Sequence, residues 1–179
     1  GFIKSLTVVG MGGAVFDHRR ANGDGGEAVS GPQDAFGVLM DIPRLKGVPY
    51  LEPGTPVYVE DLEKWEKKAG VKVSTGDAIF LRTGRWARRE KLGAWKVDQS
   101  SAGFHASVTP WIKARGVAFV GSDDAQDVIP SLVEGVRLPV HTLLVTALGI
   151  NLLDNQDLEA VGEADAKLNR WEFMLTFAP

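Results

Sequence analysis

Residues 37–43 read Gly37-Val38-Leu39-Met40-Asp41-Ile42-Pro43, a short apolar run that ends at a proline. Runs of this length with no polar alternation are typical of strands that are buried on both faces. Proline restricts the residue before it and removes a backbone donor, so the strand should end there. The stretch therefore predicts a buried strand, and regular structure is expected from Phe36 onward.

Further apolar runs follow along the chain, and helical patterns separate them. Strands are predicted over residues 78–81, 117–120, 150–153 and 171–177. Helices are predicted over residues 59–69, from Thr109 to Gly116, and over residues 139–148 and 157–166. The strand 78–81 is expected to end at residues 82–86, and the basic residues after it are interpreted as a solvated loop. Strands that alternate with helices indicate an α/β domain.

The first part of the chain differs from the rest. Between Gly10 and Phe36 the sequence has seven glycines and no sustained hydrophobic period, which is typical of a loop. We therefore divide the chain into an irregular glycine-rich segment, residues 1–36, and a single domain, residues 37–179. A structureless stretch of this length is uncommon inside a compact domain, so we expect neighbouring sequence to be missing at this end.

Composition and charge exclude several classes of protein. The formal net charge is −3, so nothing attracts a polyanion and a nucleic-acid partner is not expected. No apolar run approaches the roughly 20 residues that a membrane helix needs, and we expect a cytoplasmic protein. The chain has no cysteine, which excludes thiolate metal sites, and its three histidines are the principal nitrogen ligands for a metal.

The candidate site residues are polar side chains at the ends of apolar runs. They are His105, Asp123, Asp127, His141 and Asp154. Each has a structural alternative, because isolated histidines are often hydrogen-bonded core residues and loop aspartates often cap helices or form turns. His141 opens an otherwise apolar helix, so its ring needs a polar partner. That partner could be the backbone or a metal ion.

The chain resembles the cyclase family of metal-dependent hydrolases, the group that contains kynurenine formamidase and isatin hydrolase. The resemblance covers about Phe36 to Pro179. Its motifs, in order, are Gly37-Val38-Leu39-Met40-Asp41-Ile42-Pro43-Arg44-Leu45-Lys46-Gly47, Tyr50-Leu51-Glu52-Pro53-Gly54, Gly76-Asp77-Ala78-Ile79-Phe80-Leu81-Arg82-Thr83-Gly84, Gly121-Ser122-Asp123, Pro139-Val140-His141 and Leu152-Leu153-Asp154-Asn155-Gln156-Asp157-Leu158-Glu159. The segments Gly103–Ser107 and Trp171–Phe173 are more similar to the isatin hydrolase branch.

The resemblance implies a fold, a reaction and a set of roles. The fold is a single α/β domain with a mixed β-sheet and flanking helices. The reaction is hydrolysis of an amide-like or lactam C–N bond of a small substrate by water activated on a divalent ion, zinc or manganese. His141 and Asp154 fall near metal-ligand positions, His105 in the pocket, and Asp123 and Asp127 where they would orient ligands. Family members imply a homodimer or a homotetramer.

The sequence also departs from the family pattern. The family's main metal motif, HxGTHxDxPxH, has no counterpart, and His18 is the one histidine upstream of Gly37. Asp154 is shorter than the family's glutamate and lies one residue further from His141. Two explanations stay open: the natural protein extends beyond both ends of this sequence, or the protein has lost its metal and is a non-catalytic ligand-binding or assembly protein.

Overall fold

The structure is a computed structural model that describes residues 36–175. Its strands are β1 (Phe36–Asp41), β2 (Pro56–Val57), β3 (Ala78–Arg82), β4 (Gly103–Phe104), β5 (Phe119–Ser122), β6 (Asn151–Leu153) and β7 (Glu172–Met174). Its α-helices are α1 (Ile42–Lys46), α2 (Val59–Ala69), α3 (Arg85–Leu92), α4 (Thr109–Ala114), α5 (Pro139–His141) and α6 (Glu159–Leu168). A 3₁₀ turn covers Ala106–Val108 and a π-helical segment covers Thr142–Ala147.

A mixed five-stranded sheet organises these elements. The strand order is β6-β5-β3-β1-β7, in which the first four strands are parallel and β7 runs antiparallel to β1. The apolar run of β1 is buried almost throughout and pairs with β3, from Gly37 opposite Ala78 to Asp41 opposite Arg82. The predicted α/β fold with a mixed sheet and flanking helices is confirmed.

Most of the predicted helices and strands are present, and three of the predictions differ from the structure. The helix over residues 59–69 has the predicted bounds. The predicted basic loop after strand 78–81 is instead helix α3, in which five of the eight residues are charged. The predicted strand 117–120 is shifted to Phe119–Ser122. The predicted helix 139–148 is one α-turn followed by the π-helical segment.

The parallel strands position the candidate site. The carboxyl ends of β1, β3, β5 and β6 meet at one edge of the sheet, and ligands of open α/β sheets bind outside this edge. Asp123 and Asp154 each follow directly after one of these strands. We call this region the carboxyl edge.

A small second sheet lies beside the carboxyl edge. Strands β2 and β4 pair in parallel, and Phe104 of β4 also bridges to Asp127. Gly103 permits this contact, because a Cβ atom there would lie 2.6 Å from the carbonyl carbon and oxygen of Asp127. The backbone that carries Asp127 is therefore fixed by close packing against β4.

Two sequence predictions concern segments that lie partly outside the described residues. The irregular segment 1–36 lies outside the described residues except for Phe36, which begins β1. The final strand is shorter than predicted, since β7 covers Glu172–Met174 and residues 176–179 are not described. None of the described helices is long and apolar enough to cross a membrane.

Candidate functional site

His141 lies between two carboxylates at the carboxyl edge. Its Nδ1 atom is 2.6 Å from Asp127 Oδ2, and its Nε2 atom is 3.1 Å from Asp154 Oδ2. The three residues are separated by 13 or 14 positions in sequence. The structure thus brings three of the five predicted site residues into one hydrogen-bonded group, which we call the Asp127–His141–Asp154 group.

Asp127 fixes the orientation of the histidine ring. Its side chain is fully buried and accepts hydrogen bonds from the backbone N–H groups of Val140, at 2.6 Å, and His141, at 3.1 Å. The Asp127 carboxylate therefore accepts from two backbone N–H groups of α5 and also holds His141 Nδ1. With Nδ1 held in this way, Nε2 is the nitrogen that faces Asp154.

The two carboxylates also change the acidity of the ring. Hydrogen bonding to Asp127 and then to Asp154 raises the pKa of His141 from 6.5 to about 9, although partial burial opposes the shift. With only these partners, the ring carries two protons at neutral pH. A metal ion that binds Nε2 must displace the proton there.

The loop that carries Asp154 is held in place from two sides. Gln126 Nε2 donates to the carbonyl of Leu153 at 3.0 Å, just before Asp154. Trp86 Nε1 donates to the carbonyl of Gln156 at 2.7 Å, just after it. The Asp154 carboxylate is partly exposed, but its Oδ1 atom is buried and has no hydrogen-bond partner among residues 36–175. An acceptor of this kind indicates that a donor or a cation belongs beside it.

Asp123 stabilises the start of helix α3. It is fully buried, and its carboxylate accepts from Thr83 N and Oγ1 and from Gly84 N, each at 2.8 Å, and from Arg85 N at 3.2 Å. Burial raises its pKa from 3.8 to about 6, and these hydrogen bonds limit the shift. All four contacts go to the turn between β3 and α3, and a direct contact with a ligand stays a prediction.

His105 lies close to the group but is not hydrogen-bonded to it. Its Nδ1 accepts from Ser107 N at 3.2 Å and lies 2.9 Å from Ser107 Oγ, so the ring caps the 3₁₀ turn. Its ring centroid is 4.9 Å from that of Tyr58. Because Nδ1 accepts, the neutral ring carries its proton on Nε2. His105 follows directly after Phe104, the bridge partner of Asp127, and its place in a pocket stays a prediction.

Sequence reasoning did not name several residues of the carboxyl edge. Arg82 Nη1 donates to Asp41 at 3.0 Å and its Nη2 donates to Glu159 at 2.6 Å, which joins β1, β3 and α6. Gln126 and Arg85 also contact the Asp154 loop. The sequence signal for these residues was their position at or beyond the ends of predicted strands.

Two side chains of the Asp127–His141–Asp154 group, and no more, are spaced to share a divalent metal ion within residues 36–175. Within residues 36–175 no group of three or more histidine, aspartate or glutamate side chains is arranged to hold an ion. Two donors do fit. Ligands about 2.1 Å from one ion at angles of 90–109° lie roughly 3.0–3.4 Å apart, and the Nε2–Oδ2 distance is 3.1 Å. The ring is oriented by a second carboxylate, as in many metal-ligating histidines.

Comparison with known proteins defines the class. The sequence model of the Cyclase family matches residues 34–126, just over half of the chain. The chain therefore belongs to the Cyclase family. No curated protein matches the sequence.

Solved structures agree with this assignment. The crystal structure of a novel cyclase is 29% identical, with a TM-score of 0.66 over 78% of this chain and 45% of its own. Isatin hydrolase A from Ralstonia solanacearum is 21% identical, with a TM-score of 0.55 over 73% of this chain and 51% of its own. Isatin hydrolase A from Labrenzia aggregata, bound to benzyl benzoate, is 18% identical with a TM-score of 0.53, covering 70% and 49%. The chain thus spans about half the length of these structures.

Proposed function

We propose that this protein is a metal-dependent hydrolase that cleaves an amide-like or lactam C–N bond of a small aromatic substrate, of the isatin or arylformamide type. The observation that carries the proposal is the Asp127–His141–Asp154 group at the carboxyl edge of a Cyclase-family sheet. The fold that the chain shares with two isatin hydrolases supports the substrate class.

In this proposal His141 Nε2 and the Asp154 carboxylate would hold a divalent ion, manganese or zinc. Such an ion lowers the pKa of a bound water and polarises the substrate carbonyl. Asp127 holds the proton on Nδ1, so Nε2 is the nitrogen that would ligate the ion once its own proton is displaced. The unpartnered Oδ1 of Asp154 and the 3.1 Å spacing are what favour this pair as ligands.

The other predicted residues have supporting roles. His105 presents Nε2–H beside Tyr58, where the two rings form an aromatic surface suited to a flat substrate. Asp123 maintains the turn that begins α3. Assembly into a homodimer or a homotetramer stays a prediction, and the mass of the native protein in solution would measure it.

Hydrolysis assays test the proposal. The purified protein, supplied with Mn²⁺ or Zn²⁺, should hydrolyse isatin or N-formylkynurenine, followed by ultraviolet absorbance. His141→Ala should lower kcat/KM by about 100-fold or more, because it removes a ligand rather than a supporting contact. Lys113→Ala, an exposed change on α4, is the matched control and should behave like the unaltered protein.

Two results would contradict the proposal. Failure to hydrolyse either compound with either metal would exclude the proposed substrates. An intact mass equal to that of this sequence together with no bound metal, measured by mass spectrometry, would favour the non-catalytic alternative.

A further inference from the structure

Arg85 uses only one nitrogen of its guanidinium within the described part of the chain. Nη1 donates to Asn155 Oδ1 and lies 3.5 Å from the Asp123 carbonyl and 3.5 Å from Asp124 Oδ1. Nε is buried and has no hydrogen-bond partner in residues 36–175, and the side-chain hydrogen bonds and the ion pair of Arg85 there all involve Nη1. A guanidinium has five N–H groups, so most of this donor capacity is unused.

The unused capacity lies on a buried side chain. Arg85 is 10% exposed, and its guanidinium stacks on Trp86 with the Cζ atom 4.9 Å from the ring centroid. Leaving a buried donor without an acceptor is unfavourable, and more so when the donor is charged. The Nε and Nη2 atoms present two parallel N–H groups, and this edge matches the two oxygens of a carboxylate.

No described carboxylate fills this edge. The Asp123 carboxylate is engaged by Thr83, Gly84 and the backbone of Arg85. Asp124 Oδ1 lies on the opposite side, at Nη1, and accepts from Ser101 Oγ at 3.2 Å. Within residues 36–175, therefore, no carboxylate is placed to accept from Nε of Arg85.

The position of Arg85 connects it to the candidate site. Its partner Asn155 follows directly after Asp154, whose carboxylate is 3.1 Å from His141 Nε2. Asn155 has a φ of 59°, so the chain turns sharply at the residue that Arg85 holds. The guanidinium thus lies at the same carboxyl edge as the Asp127–His141–Asp154 group.

We infer that the Nε–Nη2 edge of Arg85 binds the carboxylate of a small organic acid at the carboxyl edge of the sheet. The inference rests on the proposed function in one respect: hydrolysis of an amide or lactam releases an acid, which would be the molecule bound here. Binding of the acid itself requires neither turnover nor metal.

Calorimetric titration with benzoate, and with benzamide as its neutral isostere, tests the inference. Benzoate should bind the unaltered protein more tightly than benzamide. Arg85→Lys keeps the charge but loses the planar fork, and it should weaken benzoate binding about tenfold or more while leaving benzamide binding unchanged. Arg89→Lys is the matched control, because Arg89 lies on the same helix and over the same Trp86 ring, at 5.5 Å.

The inference is overturned if Arg85→Lys binds benzoate as tightly as the unaltered protein, or if benzoate has no advantage over benzamide. Should Arg85→Lys not fold, as judged by thermal unfolding, a crystal structure of the unaltered protein with benzoate decides. A carboxylate against Nε and Nη2 supports the inference, and a protein acceptor or a water molecule in that place overturns it. Benzoate binding at Arg85 without hydrolysis of any amide would refute the proposed function alone.

Discussion

Replacing Asp165 with asparagine should stabilise the protein at pH 8 and have little effect at pH 4. Asp165 lies on α6, is 5% exposed, and has a buried Oδ2 atom without a hydrogen-bond partner in residues 36–175. Burial raises its pKa from 3.8 to about 7, Arg170 opposes the shift and Asp41 adds to it. Each pKa unit corresponds to about 1.4 kcal/mol, so ionised Asp165 can lower stability by up to about 4 kcal/mol.

The sign of the pH dependence follows from proton binding. Between pH 3.8 and about 7 the folded state keeps the Asp165 proton and the unfolded state has lost it, so stability falls as pH rises. Above pH 7 both states have lost the proton and the penalty is constant. The advantage of Asp165→Asn should therefore grow between pH 4 and pH 7 and then level off at about 2–4 kcal/mol.

Urea unfolding at pH 4, 6 and 8 measures this difference. Glu163→Gln is the matched control, since Glu163 lies on the same helix with its side chain 66% exposed and loses the same charge. Its effect on stability should be small at every pH. A difference between Asp165→Asn and the unaltered protein that does not change with pH would refute the reasoning, because Asp165 would then be ionised in both states.

Two further predictions, which use three substitutions, test the packing around the site. Arg82→Met should lower the free energy of unfolding by about 3–5 kcal/mol in urea titrations, because it leaves the fully buried Asp41 without its buried partner. Arg44→Met removes a more exposed contact of the same carboxylate and should lower the free energy of unfolding by about 1 kcal/mol. Gly103→Ala should lower the melting temperature by several degrees, since its Cβ would meet the Asp127 backbone at 2.6 Å, and an unchanged melting temperature would contradict that close approach.

Local pattern was enough to predict strands β1 and β3 of the sheet, although not the order of its strands. The strands of residues 37–42 and 78–81 are continuous apolar runs because both faces of the parallel sheet are covered, and such runs can be recognised without knowing their partners. Helix α3 was missed because five of its eight residues are charged, a composition that a solvated loop also has. The π-helical segment was missed because it has the same composition as an α-helix.

The candidate site was only partly predictable for a related reason. His141, Asp127 and Asp154 could each be chosen as polar residues at the ends of apolar runs. The sequence does not show that the His141 ring contacts both carboxylates. These contacts join residues 13 and 14 positions apart, and the order of the strands in the sheet brings them together. Gln126 and Arg85 act through hydrogen bonds to a distant loop, and their position beyond the ends of predicted strands does not reveal this contact.

The loop that carries Asp154 is anchored to helix α3 through Trp86 and Arg85. Residues 85–92 and 153–156 therefore behave as one transferable unit, although about sixty positions separate them in sequence. A chimaera that exchanges the helix with a relative's but keeps the native loop would misplace the Asp154 carboxylate. Grafting both segments together would preserve its reach toward His141.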